Sequence, residues 1–118
     1  VQYAMKCVRK ATIQVTRQCR HILEEKTALL ELRDVSQYIC SLHRTFQDDV
    51  RLYMLFEFMP GGDLCVLLRK CGKLSVQASR FYLAQIICAI QVMHEYGYVY
   101  RDVKPDNVLL DQQGYIKL

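Results

Sequence analysis

Five polar side chains crowd into one short stretch, Tyr98 to Leu110, which reads Tyr-Val-Tyr-Arg-Asp-Val-Lys-Pro-Asp-Asn-Val-Leu-Leu. Arg101 and Lys104 are cations, Asp102 and Asp106 are carboxylates, and Asn107 carries an amide that both donates and accepts. β-Branched and aromatic runs lie on either side, so the pattern predicts strand, loop, strand. A solvated hairpin loop would account for the polarity. It does not account for an acid, a base and an amide at set offsets between two apolar runs.

Two further charges sit on apolar elements. Val1 to Val8 alternates, with Tyr3, Met5 and Cys7 on one face and Ala4, Lys6 and Val8 on the other. A lysine in such a strand is either an edge residue or a functional cation. In a helix expected from about Arg17 to Arg33, Ile22, Glu25, Leu29 and Leu32 recur at three- and four-residue spacing. Glu25 is therefore an acid on an apolar stripe, whereas Glu24 lies about 100° round the helix. Glu25 either pairs at the rim with Lys26 or Arg33 or meets a cation from another element.

The elements that must position these groups follow in order. Arg9 to Arg17 is basic and polar, with Thr12 and Thr16 as candidate helix caps. Tyr38 to Phe46 and Arg51 to Met59 read as strands around a turn centred on Asp48 and Asp49. With the first run they predict a small antiparallel sheet holding one helix. Met59-Pro60-Gly61-Gly62-Asp63 cannot continue a strand, which predicts two domains, 1–59 and 60–118. Asp63 is placed to cap a short helix, Leu64 to Lys70, ended by Gly72. Ser75 caps the longest helix, Val76 to about Tyr96. Its expected buried side is Phe81, Ala84, Ile87, Cys88, Ile90 and Met93, and its solvated set is Gln77, Arg80, Gln85 and Glu95. A turn at Asp111 to Gly114 folds Tyr115–Leu118 back on Val108–Leu110.

Bulk properties exclude several classes. A 118-residue chain that is 52% hydrophobic can bury the core of one small domain. The net charge of +4 is mild and its basic residues are scattered, so nucleic acid is not an expected partner. No apolar stretch approaches the roughly 20 residues of a membrane span. No secretion signal is expected. The six cysteines form no Cys-x-x-Cys pair and no zinc spacing. Reduced, mostly buried thiols in a cytoplasmic protein are expected.

The segment Arg101-Asp102-x-x-x-x-Asn107 resembles the catalytic loop of protein kinases. Tyr3-Ala4-Met5-Lys6 is similar to the third kinase strand, and His21-x-x-x-Glu25-Lys26 to the C helix of the cyclic-nucleotide-dependent (AGC) kinases. Tyr100 before Arg-Asp and Pro60-Gly61-Gly62-Asp63-Leu64 are also like that group. The resemblance runs the whole chain in the family's order and implies a partial two-lobe α+β kinase fold. It implies ATP and Mg2+ as cofactors and transfer of a phosphoryl group to serine or threonine of a protein substrate. Asp102 would take the substrate's hydroxyl proton, Lys104 would reach the transferred group, and Asn107 would hold the metal. Lys6 would meet the α- and β-phosphates and Glu25 would fix Lys6. Ala4 and Leu109 would flank the adenine, Phe56 would stand at the back of its pocket, and backbone groups of Glu57 and Met59 would pair with it. Asp63 would contact the ribose and a basic residue of the peptide, although the relatives usually carry the longer Glu there. Arg101 would bind an activation-loop phosphate, with His21 nearby. Lys104 points to serine/threonine specificity, and Asp106 to substrates with basic residues near the phosphosite. A regulatory domain or subunit is a further implied partner.

Two family motifs are not in this sequence: the Gly-x-Gly-x-x-Gly that precedes the third strand, and the Asp-Phe-Gly that follows the hairpin. The sequence therefore reads as an internal fragment of a kinase. A truncated, non-catalytic binding module is the competing reading. An isolated chain of these residues is expected to bind Mg-ATP weakly and turn over poorly. Steady phosphotransfer by the purified chain, abolished in Asp102→Asn, would contradict this.

Overall fold

The computed structural model describes residues 1–118. Its contacts divide the chain into two compact units. One is Val1–Arg33 with Cys40–Phe58, and the other is Asp34–Ile39 with Met59–Leu118. This differs from the expected 1–59 and 60–118 in two places. Met59 goes with the second unit, where its carbonyl accepts from Gly62 N at 3.2 Å. Asp34–Ile39 also goes there, and Leu118 N donates to Tyr38 O at 2.9 Å.

The first unit is built on a three-stranded antiparallel sheet in the order β1–β3–β2. These strands are β1 (Tyr3–Arg9), β2 (Leu42–Gln47) and β3 (Arg51–Glu57). β1 and β3 pair without slippage from Tyr3 opposite Glu57 to Arg9 opposite Arg51. β2 and β3 shift register between Leu42 and Arg44. Two helices accompany the sheet, not one: α1 (Lys10–Val15) and α2 (Cys19–Glu31). Neither Thr12 nor Thr16 caps a helix start. Thr16 closes the end of α1, donating through Oγ1 to Thr12 O at 2.7 Å. Ile22, Glu25 and Leu29 are half-buried and Leu32 is buried, so the stripe lies on the face that its spacing predicts. Ile13, Leu32, Leu42 and Met54 are the buried apolar residues here, together with Cys40.

The β2–β3 turn is fixed by one carboxylate. Asp48 accepts from Val50 N at 2.7 Å, Arg51 N at 2.6 Å and the Tyr53 hydroxyl at 2.7 Å. Tyr53 in turn stacks on Phe46 with ring centres 4.9 Å apart. These donors, Tyr53 first, lower the Asp48 pKa from 3.8 to about 2.

The second unit combines two helices with a small sheet in the order β4–β5–β6. β4 is Gly62–Asp63, β5 Leu109–Leu110 and β6 Ile116–Lys117; the helices are α3 (Leu64–Cys71) and α4 (Val76–Glu95). Asp63 and Ser75 cap α3 and α4 as their sequence positions predict, accepting from Val66 N and Ala78 N. Gly61 N donates to Leu110 O at 3.0 Å. A Cβ at Gly61 would lie 2.7 Å from Leu110 Cβ and O, so only glycine lets the chain pass here.

Four expectations are corrected. Tyr98–Tyr100 is not a strand, and Tyr38–Ser41 is turn and coil before β2. Only Cys40 is buried, while Cys7, Cys19, Cys71 and Cys88 are exposed. The buried stripe of α4 is Gln85, Ile86, Ala89 and Met93, of which only Met93 was expected. Phe81, Ala84, Ile87 and Cys88 are exposed instead.

The Asp48 turn gives a pH test. Its folded pKa is depressed, so its contribution is fully present above 3.8 and is lost as pH falls through about 2. Asp48→Ala should lower the melting temperature at neutral pH, and the gap from wild type should close as pH falls from 3.8 towards 2. A gap that persists unchanged at the acid end would show that the carboxylate is not what holds the turn.

Candidate active site

In the first unit, Lys6 and Glu25 meet. Lys6 Nζ lies 2.7 Å from Glu25 Oε1 and 3.0 Å from Oε2, so both oxygens share one ammonium. The strand β1 carries the lysine and the half-buried face of α2 carries the acid. The partner of this carboxylate is Lys6, a cation from another element. His21 makes a longer contact, 3.8 Å, with Glu24. The Lys6 and Glu25 side chains remain 46% and 40% exposed, so the charges keep much of their hydration.

On the same sheet, Ala4 pairs with Phe56 and Lys6 with Met54. Ala4 is exposed and Phe56 half-buried. The Glu57 carboxylate accepts from Ser41 N at 2.7 Å, and Glu57 N donates to Ser41 O at 3.1 Å. The side chain of Glu57 thus ties β3 to the start of β2.

In the second unit, Met59 is buried with its carbonyl engaged by Gly62. Asp63 spends Oδ1 on Val66 N at 2.8 Å, leaving its other oxygen. Leu109 is half-buried in β5 between Asp63 and Lys117.

The loop after α4 draws three of the five polar side chains together. Lys104 Nζ lies 3.0 Å from Asp102 Oδ2. Asn107 Nδ2 donates to the same Oδ2 at 2.8 Å and to Asp102 O at 3.0 Å. Both partners hold one oxygen of Asp102, so Oδ1 keeps its lone pairs for a further donor. Lys104 first and Asn107 second hold the Asp102 carboxyl below its usual value of 3.8, so it is ionised at neutral pH. Asn107 uses its nitrogen in these bonds, which leaves Oδ1 as an acceptor. Arg101 and Asp106 are exposed.

Backbone geometry sets this cluster. Lys104 is extended (φ −153°, ψ 158°), as the residue before a proline prefers. Pro105–Asn107 forms one 3₁₀ turn, which brings Asn107 back towards Asp102. Arg101 has φ 65°, a left-handed conformation that non-glycine residues seldom adopt. That conformation was not foreseen, and nothing in the residue type signals it. Gln85 was also missed, since it is buried and bonded to both Phe81 O and Ile116 N. Its spacing of four and eight residues before Ala89 and Met93 does place it on their face.

Comparison with known proteins gives the family of this chain. The protein kinase domain model matches residues 1–118. The chain belongs to the protein kinase family. It is 43% identical over 116 residues to a serine/threonine-protein kinase WARTS homolog of Caenorhabditis elegans, covering 98% of this chain and 13% of that protein. It is 41% identical to the serine/threonine-protein kinase tricornered of Drosophila melanogaster, covering 98% of this chain and 25% of that protein. It is also 41% identical to a cAMP-dependent protein kinase catalytic subunit of Dictyostelium discoideum, covering 98% and 18%. These relatives are serine/threonine kinases of the AGC group. The chain spans a quarter or less of their length.

An ion pair this exposed contributes little to stability, about 0–1 kcal/mol. Glu25→Gln should therefore move the melting temperature by only a degree or two and yet lower kcat/KM about 10-fold or more in the full-length protein. Equal loss of folding and of activity would show that the pair is structural.

Proposed function

We infer that this chain carries ATP-dependent phosphoryl transfer to serine or threonine of protein substrates, as a portion of a longer protein kinase. The arrangement of Lys104 and Asn107 on one oxygen of Asp102 is the observation that carries the reading. Phosphoryl transfer needs positioning and charge stabilisation more than covalent help. Asp102, held ionised, accepts a hydrogen bond from the substrate hydroxyl through Oδ1 and takes its proton late. A carboxyl with a lowered pKa is a weak base, so its main work is orientation. Lys104 sits beside it as the cation for the transferred group. Lys6, fixed by Glu25, is the cation for the phosphates that are not transferred.

The residues present fit Mg2+ of one kind only. No cluster of three histidine, cysteine or acidic side chains forms a cage for a resident metal. Magnesium typically takes one or two protein oxygens plus phosphate oxygens, and Asn107 Oδ1 supplies one such donor. When bound, the ion would neutralise charge developing on the phosphates. In the first unit Ala4, Phe56 and the backbone of Glu57 are the groups we assign to adenine; in the second unit Leu109 and the backbone of Met59 are. The remaining oxygen of Asp63 is assigned to the ribose or a basic substrate residue.

Asp106 is exposed and acidic, which supports a preference for basic residues near the phosphosite. No helix is long and apolar enough to cross a membrane.

The full-length protein should label a serine peptide flanked by basic residues from ATP and Mg2+. Asp102→Asn keeps the shape and removes the base, and should lower kcat about 100-fold or more with little change in KM for ATP. Undiminished transfer by this variant would remove Asp102 from the chemistry.

A further inference from the structure

We propose that Gln85 is a positioning residue for the Asp102–Asn107 loop, acting through its bond to Ile116. The inference rests on the functional reading above. Gln85 is the one polar residue in the buried set, at 6% exposure. Its Nε2 donates to Phe81 O at 3.1 Å and its Oε1 accepts from Ile116 N at 3.0 Å. The first bond holds the amide against its own helix. The second reaches 31 residues along the chain, and every residue of the loop lies inside that interval.

The loop cannot position itself. Arg101 through Asp106 are all exposed, and the bonds among Asp102, Lys104 and Asn107 are in contact with water. Its placement is inherited from its two ends. The leading end is tied to α4, where Gly97 N donates to His94 O and Tyr98 N to Met93 O at 2.9 Å. The trailing end enters β5 through Val108, which is 1% exposed. β5 is the middle strand, but its partner β6 is an edge strand. Leu110 faces Ile116 in that pairing. An edge N–H buried without a partner is costly, and Gln85 supplies the partner. Both ends of the loop are thereby fixed to one rigid helix. Without the Ile116 bond β6 loses its tie to α4, and β5 with the turn Pro105–Asn107 keeps only its anchors in β4 and at Leu64, whose N–H donates to Val108 O at 2.8 Å.

The test uses the full-length protein and two variants. Gln85→Leu keeps size and burial and removes both bonds. It should lower kcat of the folded enzyme about 10-fold, raise the Mg2+ needed for half-maximal rate, and leave peptide KM within about twofold. By hydrogen exchange, the amides of Asn107 and Val108 should open about 10-fold faster or more, as well as that of Ile116. Gln85→Glu is the conservative variant. As a neutral acid it reproduces the donor and the acceptor, and burial raises its carboxyl pKa. Its kcat, relative to wild type, should be close to one near about pH 6 and decline towards the Gln85→Leu value near about pH 9.

A lower melting temperature with unchanged kcat per folded molecule, and faster exchange confined to Ile116, would make Gln85 purely structural and overturn the proposal. If Gln85→Leu does not fold, the Gln85→Glu profile decides, and a kcat ratio flat across that pH range overturns it. If wild type transfers no phosphate at all, the functional reading fails. Exchange at Asn107 and Val108 then still separates positioning from local packing.

Discussion

One carboxylate oxygen, Oδ2 of Asp102, organises the part of the second unit that could do chemistry. Lys104 and Asn107 both converge on it, at 3.0 and 2.8 Å. Each is a charge-assisted contact, yet the carboxylate is largely exposed, so hydration competes with both partners. The cluster is not where the fold gets its stability. Its geometry comes instead from the backbone beneath it: a left-handed Arg101, an extended Lys104 and a 3₁₀ turn begun by Pro105. Conformational strain at Arg101 is of a kind that persists only where neighbouring structure overdetermines it. Here the buried Val108 on one side and the end of α4 on the other provide that restraint.

The first unit repeats the same division of labour. Lys6 and Glu25 form a bidentate pair, but both are near half exposed and contribute little to folding. What brings them together is register. β1 pairs with β3 without a slip, so the face that carries Ala4 and Lys6 is set by hydrogen bonds along the whole strand. The helix contributes its own phase, with Leu32 buried at its end fixing which side of α2 faces inwards. Asp48 is the contrasting acid. It engages both oxygens with local donors, two on Oδ1 and one on Oδ2.

Much of this was legible because it depends on local rules. Caps at Asp63 and Ser75, the stop at Gly72 and the turn after Leu110 each follow from residue type and position. The α2 stripe was legible because Ile22, Leu29 and Leu32 keep helical spacing, although Leu23 and Leu30 add exposed apolar surface outside it. The α4 stripe was not, because that helix is apolar nearly all round and periodicity has little to choose between faces. The buried face was then decided by β6, a partner that the helix's own sequence does not reveal. Gln85 was misassigned for the same reason, since polarity alone argued for solvent. Tyr98–Tyr100 failed differently. Its aromatic and β-branched residues favour a strand, but the segment belongs to neither sheet.

The same helix bears on the size of the functional domain. With one stripe packed, α4 still exposes Phe81 at 44%, Leu83 at 56% and Ile87 at 62%. Isolated surface leucines are ordinary, but several large apolar residues on one helix are not what a solvated face looks like. A helix apolar on more than one side is suited to burial on more than one side. The chemistry-bearing residues show the opposite pattern, with exposure coming from charge and not from unburied apolar area. In the first unit, too, β1 stands at a sheet edge with Tyr3 and Met5 exposed at 48% and 53%. Unsatisfied apolar surface thus falls on the scaffold in both units and also at Val103, 50% exposed between Asp102 and Lys104, while the charged groups around Asp102 and Lys6 already have their internal partners. That distribution fits the reading in which these residues are part of a larger kinase domain: more chain would cover the scaffold without having to rebuild either cluster.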